Sequence, residues 1–302
     1  MRVSGKGLIN REKTLNFKFD GRNYKGFEGD TVASALLASG KKVFGRSFKY
    51  HRPRGVLTAG SEEPNALITV GQGAFQDPNI RATTQEIFEG LVTKSQNNWP
   101  NLQYDILSVN DLFSNFLGAG FYYKTFMWPK SFWEKIYEPF IRRAAGLGAL
   151  SGLHNSDTYE KAYAFCDLLI IGGGPSGLIA AKIAAEAGLD VILAEQEPIF
   201  GGRLNSETEK VDGISGSDWA VKIIEELKEL DNVRLFLRTT VTGVYDQGTF
   251  AAVERVGHHL PDRGSDRPLE CFWRIVAKNS ILAAGAIERA IAFPNNDRPG
   301  IM

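Results

Sequence analysis

Apolar and polar residues first alternate over Thr14–Phe19. Asp20-Gly21 turns that strand pattern back into a second strand, Asn23–Phe27. Asp30 stands where a cap belongs for a helix over Thr31–Ser39, which Gly40 ends. Ala66–Val70 reads as a further strand. Hairpin, helix and later strand predict a β-grasp, ferredoxin-like module over residues 1–94. From 95 to 163 the periodicity dissolves. Aromatics recur too closely for one helical face, most densely in Phe121–Trp133, and Pro129 and Pro139 interrupt any long helix. This stretch is expected to be a connector that packs against neighbouring domains or subunits.

The pattern sharpens at Asp167–Ile171, an apolar run that reads as a buried parallel strand. A glycine-rich turn follows, then an alanine-rich helix over Leu178–Ala187 and a second strand, Val191–Glu195. Trp219, Ile223, Ile224, Leu227 and Leu230 share one face of a helix beginning at Asp218. Asn232–Leu237 is the third strand. Strands near Val241–Tyr245, Phe250–Val256 and Phe272–Ala277 read as an antiparallel meander. Ser280–Gly285 reads as a parallel strand returning to the main sheet, with no helix after it to cover it. The fold class is α/β: the β-grasp module, the connector, and a Rossmann-type FAD/NAD(P)-binding domain over 164–302 with an inserted β-meander, expected to be truncated.

The turn Gly172-Gly173-Gly174-Pro175-Ser176-Gly177 carries the chemistry. In a strand–turn–helix setting, Gly172 allows the tight turn, Gly174 lets backbone approach a pyrophosphate, and Gly177 lets helix and strand pack closely. The helix N-terminus offers N–H groups and partial positive charge to the phosphates. Glu195 ends the second strand about 20 residues on, where a carboxylate bonds ribose hydroxyls and repels a 2′-phosphate. Gly202 and Arg203, just past that strand, fit phosphate contact. Val241 is placed to read adenine through its backbone, and Ala284-Gly285 to close over the pyrophosphate. No nucleophile–base pair or acid–base carboxylate pair is visible, so no catalytic residue is assigned.

Composition narrows the class. The 302 residues carry 35 Lys+Arg and 35 Asp+Glu, so no net field draws the chain to nucleic acid or an anionic membrane. No signal peptide or membrane-spanning apolar run is read, and a cytoplasmic location is the default. The basic run Arg46, Lys49, Arg52 and Arg54 suits a subunit interface or a buried flavin phosphate. His51 within it has no metal-spaced partners, and no metal site is assigned. The two cysteines, Cys166 and Cys271, make neither a disulfide framework nor a metal set. Cys166 reads as inert packing.

Three stretches together resemble the α subunits of heterotetrameric sarcosine oxidases: Gly45–Gly55 followed by Glu63–Leu67, the aromatic run Ala119–Phe126, and Cys166–Gly177. The resemblance covers the whole chain. It implies the N-terminal part of a longer subunit, with NAD on this subunit, FAD and FMN in the assembled complex with β, γ and δ subunits, and tetrahydrofolate bound by a later part. It also implies an oxidoreductase acting on CH–NH groups: sarcosine, oxygen and water give glycine, formaldehyde and hydrogen peroxide. The isolated chain is expected to be inactive. Related opine- and amine-oxidising subunits carry a 2Fe–2S cluster on cysteines, and Val56–Asn65 contains none, so no iron–sulfur cluster is expected. The motif alone leaves NAD and FAD open. An FAD-binding fragment of an opine or amine dehydrogenase, and a non-catalytic scaffold, are the alternatives.

Overall fold

A computed structural model describes residues 2–3, 7–118, 120–121, 126–144, 148–262, 267–287, 289 and 291–301. The chain divides into two units, one built on Ile9–Ser156 with a return at Glu288–Met302, the other on Asp157–Ile287.

In the first unit, β1 (Asn10–Phe19) and β2 (Arg22–Glu28) form the expected hairpin. Asp20 and Gly21 both take the positive φ that such a tight turn requires. Helix α1 (Val32–Ala38) follows. Its cap is Thr31 rather than Asp30: Thr31 and Ser34 bond each other's backbone N–H in a capping box. Asp30 is spent one residue outside the helix. Its carboxylate accepts from the Phe27 N–H at 2.8 Å and the Ser34 hydroxyl at 2.7 Å, and it pairs with Arg2. A short hairpin, β3 (Gly45–Arg46) and β4 (Pro53–Arg54), precedes β5 (Leu67–Val70), β6 (Asp77–Arg81) and β7 (Val92–Ser95). The main sheet runs β2-β1-β7-β5-β6, with β1 and β7 parallel at its centre. Phe17, Phe19, Leu36, Phe44, Ile68 and Leu91 are fully or almost fully buried in one core.

The aromatic stretch stays irregular. Ile106–Phe113 is a 3-10 run. A π-helical turn, Trp133–Tyr137, runs directly into α2 (Glu138–Ala144), so Pro139 lies inside a helical run that it was expected to interrupt. Residues 119 and 122–125 of the aromatic run lie outside the described residues.

In the second unit, β8 (Tyr159–Ile171) leads through the glycine turn to α3 (Pro175–Glu186) and β9 (Val191–Ala194). A small hairpin, β10 (Lys210–Val211) and β11 (Ile214–Ser215), precedes α4 (Gly216–Lys228), β12 (Val233–Phe236), β13 (Thr239–Tyr245), β14 (Thr249–Arg255) and β15 (Glu270–Leu282). The sheet order is β12-β9-β8-β15-β14-β13. Strands β12, β9, β8 and β15 are parallel; β14 and β13 extend the sheet antiparallel. One core packs Leu168, Ile170 and Leu193 against Leu178, Trp219, Ile223 and Leu227 of the helices. Another gathers Leu169, Ile192, Phe250, Ala252 and Ile275.

Two sequence boundaries are corrected here. The last meander strand and the returning strand are one continuous strand, β15. Its first half pairs with β14 on one side, while β8 lies along its whole length on the other. Lys278-Asn279-Ser280 reads as a polar break but is the exposed stretch that runs on past the end of β14. The helix also begins three residues earlier than the apolar pattern suggests. Pro175 opens it with its fixed φ and its absent N–H, so Ser176 and Gly177 are helical.

Candidate functional site

The ends of β8, β9 and β15 meet at the glycine turn. Gly172 has a φ of 109°, and a Cβ on it would overlap the Ala283 carbonyl oxygen and lie 3.0 Å from the Ala284 Cα. A Cβ on Gly177 would overlap the Gly172 carbonyl oxygen, which fixes how closely α3 sits on β8. Gly174 differs from both. It caps α3 without a side-chain bond, and a Cβ there would meet nothing within 4 Å. Gly202, with a φ of 52°, approaches it: a Cβ on Gly202 would come 3.0 Å from the Gly174 Cα. The turn is therefore an open cradle in front of a helix start. The N–H groups of that first turn have no intrahelical acceptor, and Pro175 and Ser176 lie exposed beside it.

Glu195 stands at the rim, and the structure shows what the sequence did not. Its carboxylate is buried, at 7% exposure. Oε2 accepts from the Gly173 N–H at 2.7 Å and Oε1 from the Glu197 N–H at 2.9 Å. A carboxylate has about four lone-pair sites, so one is left on each oxygen. Phe200 packs over Gly173, and Gly201 donates its N–H to the Gly173 carbonyl at 2.8 Å. These two residues close the loop after β9 onto the turn. Phe200 was missed because a single aromatic in a loop carries no pattern.

The remaining expected residues are more loosely placed. Arg203 is 63% exposed in its side chain and bonds Glu207 at 2.7 Å, one helical turn away. Val241 lies half-buried on β13, whose first residue, Thr239, donates its N–H to the Glu195 carbonyl at 2.8 Å. Ala284 and Gly285 are exposed just past β15.

The basic run of the first unit is engaged within that unit. Arg46 donates to the carbonyls of His51, Leu102 and Gln103. Lys49 donates to the Gly118 carbonyl, Arg52 pairs with Asp111, and Arg54 pairs with Asp297. His51, for which the sequence shows no metal-spaced partner, has a buried carboxylate beside it: its Nδ1 lies 2.6 Å from Asp105 Oδ2. The other oxygen, Oδ1, accepts from the Trp99 N–H at 3.0 Å, so the pair ties the basic loop to the segment after β7. The two residues are 54 positions apart, and no spacing rule connects them.

Residues 170–240 match the family described as NAD(P)-binding Rossmann-like domain, and residues 12–98 the 2Fe-2S iron-sulfur cluster binding domain. Sarcosine oxidase subunit alpha of Rhizobium meliloti is 55% identical over 301 residues, covering 100% of this chain and 30% of that protein. The chain is a relative of sarcosine oxidase subunit alpha. The Corynebacterium sp. (strain U-96) subunit alpha is 35% identical over 97% of the chain and 26% of its own length. The chain thus spans under a third of these relatives. Among solved structures, L-proline dehydrogenase from P. horikoshii superposes with a TM-score of 0.59 at 21% identity, over 99% of this chain and 46% of that one; this is a likeness of fold.

The match over 12–98 corrects one expectation. The absence of an iron–sulfur cluster was inferred from cysteine count, whereas the first unit matches a family described by its 2Fe–2S cluster. The residues present do not fit the usual thiolate ligands of such a cluster. Residues 12–98 contain no cysteine, and among the described residues no group of three or more His, Cys, Asp or Glu is placed to hold a metal ion. Among the described residues, no helix is long and apolar enough to cross a membrane.

Proposed function

We propose that the chain is the dinucleotide-binding portion of a sarcosine oxidase α subunit. In this reading the complex converts sarcosine, oxygen and water to glycine, formaldehyde and hydrogen peroxide in the cytoplasm. The β, γ and δ subunits complete the assembly, and amine oxidation takes place outside this chain. The observation that carries the nucleotide assignment is the open cradle at Gly174 beside the buried, hydrogen-bonded Glu195. The relatives at 55% and 35% identity support the choice of oxidase.

Each residue has a task in this reading. The cradle of Gly172, Gly174 and Gly177 takes the pyrophosphate, with Pro175 and Ser176 opening the helix behind it. Glu195 accepts from both hydroxyls of an unphosphorylated ribose. Gly202 and Arg203 flank the phosphates, Val241 meets the adenine, and Ala284-Gly285 border the turn.

Nucleotide released on denaturing the purified full-length complex tests the assignment. Chromatography is expected to find one NAD per α subunit in wild type and none in Gly174→Val, with peroxide production measured in parallel on sarcosine. Equal nucleotide in both proteins would reject the cradle. FAD in place of NAD on this subunit would favour a flavin site of the opine-dehydrogenase kind.

A further inference from the structure

The loop Val56–Ala66 of the first unit turns its main-chain N–H groups onto one carboxylate. Glu63 Oε2 accepts from the N–H groups of Leu57 and Thr58, both at 2.7 Å. Oε1 accepts from Asn65 at 2.6 Å and Ala66 at 3.0 Å. The Thr58 hydroxyl adds a weak fifth contact at 3.4 Å. Glu63 is 0% exposed. Among the described residues its charge is met by these backbone groups and not by a lysine or arginine side chain; Arg81 reaches only the Glu63 carbonyl, at 3.2 Å.

A carboxylate at this depth is costly unless it is fully hydrogen-bonded. Four charge-assisted bonds from two chain segments supply that compensation. Backbone N–H groups converging in this way form a concave anion site. We infer that the loop is an anion-binding nest that the chain fills with its own carboxylate, so that Glu63 acts as a ligand in cis. The ligand class is set by the donors: two oxygens, each shared by two N–H groups, which is carboxylate geometry. Glutamine does not satisfy it, because its NH₂ would face two donors. The consequence reaches a neighbouring cleft of ≈ 200 Å³, lined by Pro64 and Asn65 together with Arg46 and Arg54. The cis ligand sets the position of Pro64 and Asn65 in that lining.

The test is chemical rescue in the full-length subunit. Glu63→Ala is expected to melt roughly 5–10 °C below wild type. Sodium acetate should restore at least half of that loss, and sodium chloride at equal ionic strength none. Glu63→Gln, of nearly equal size, should melt as low as the alanine variant and gain nothing from acetate. Should the alanine variant not fold, the glutamine variant and hydrogen exchange on wild type decide. The amides of Leu57, Thr58, Asn65 and Ala66 are expected to be strongly protected. A glutamine variant as stable as wild type, an equal response to acetate and chloride, or fast exchange at those four amides would each overturn the inference.

Discussion

Gly177 lies against Gly172 so closely that a Cβ on the helix residue would overlap the turn residue's carbonyl oxygen. Gly174, between them, faces open space. One motif thus contains two kinds of glycine. Gly177→Ala is expected to force α3 off β8 and destabilise the second unit by about 3 kcal/mol, the scale of overpacking against rigid backbone. Gly174→Ala adds its methyl to the cradle. It should change stability by no more than about 1 kcal/mol, the cost of a poorer helix cap, while dinucleotide is lost. Thermal melts and nucleotide content on both variants check this. Equal losses of stability would mean that the cradle is packed rather than open.

Glu195 does two jobs, and its replacement should expose both. The carboxylate holds the Gly173 and Glu197 N–H groups at 2.7 and 2.9 Å, and in the proposed site its free lone pairs take the ribose. Glu195→Ala leaves two buried donors without acceptors, at about 1–3 kcal/mol. It should also weaken NAD binding by roughly 1–3 kcal/mol, about fivefold to 160-fold. Denaturant unfolding without nucleotide separates the first cost from the second, and calorimetric titration of NAD measures the second. A stability loss with unchanged NAD affinity would make Glu195 a purely structural acid.

What the sequence made legible follows physical range. The Asp20-Gly21 turn and the strand–turn–helix of the second unit depend on neighbours within a few residues, so composition revealed them. The parallel pairing of β1 with β7 did not show, because Val92-Thr93-Lys94-Ser95 has one apolar residue and its partner lies over 70 positions away. The same limit hid His51–Asp105. The four N–H groups around Glu63 come from within six residues of it, but a loop that folds its backbone onto a side chain leaves no apolar period to read. The continuity of β15 was hidden by side chains: polar residues over 278–280 suggest a turn, although the backbone runs straight on beside β8. At the site, the glycines were legible as a turn. Their division into packed and open positions needed the surrounding atoms.

Cys166 is expected to be chemically silent. Burial pushes its thiol up to about 11, against the weaker opposing influence of Arg234. At pH 8 only about one thiol in a thousand would then be ionised, and the thiolate is the nucleophile. Burial raises the Cys271 thiol as well. Iodoacetamide labelling of Cys166 in the native protein should therefore be on the order of a hundredfold slower than in denaturant, and labelling of Cys271 slower as well. Mass spectrometry of tryptic peptides at timed intervals checks both positions. Rapid labelling of Cys166 under native conditions would show that β8 opens readily.

The acid side of the stability profile should carry a signature of Glu270. This carboxyl, at the start of β15, is held below its ordinary value first by its hydrogen bond to His258, whose Nε2 lies 3.1 Å away, with partial burial opposing. A lowered folded value means that the ionised form is favoured by folding. The contribution is complete above the unfolded value, near pH 4.3 for a glutamate. It is lost as pH falls through the lower folded value. Wild type should thus exceed Glu270→Gln in stability at about pH 5.5, and the margin should shrink below about pH 4. Because the pair is partly exposed, added salt should reduce it. Urea titrations of both proteins across this range decide the matter: a margin that stays the same at pH 3.5 as at pH 5.5 would mean that the His258 contact does not depend on the Glu270 charge.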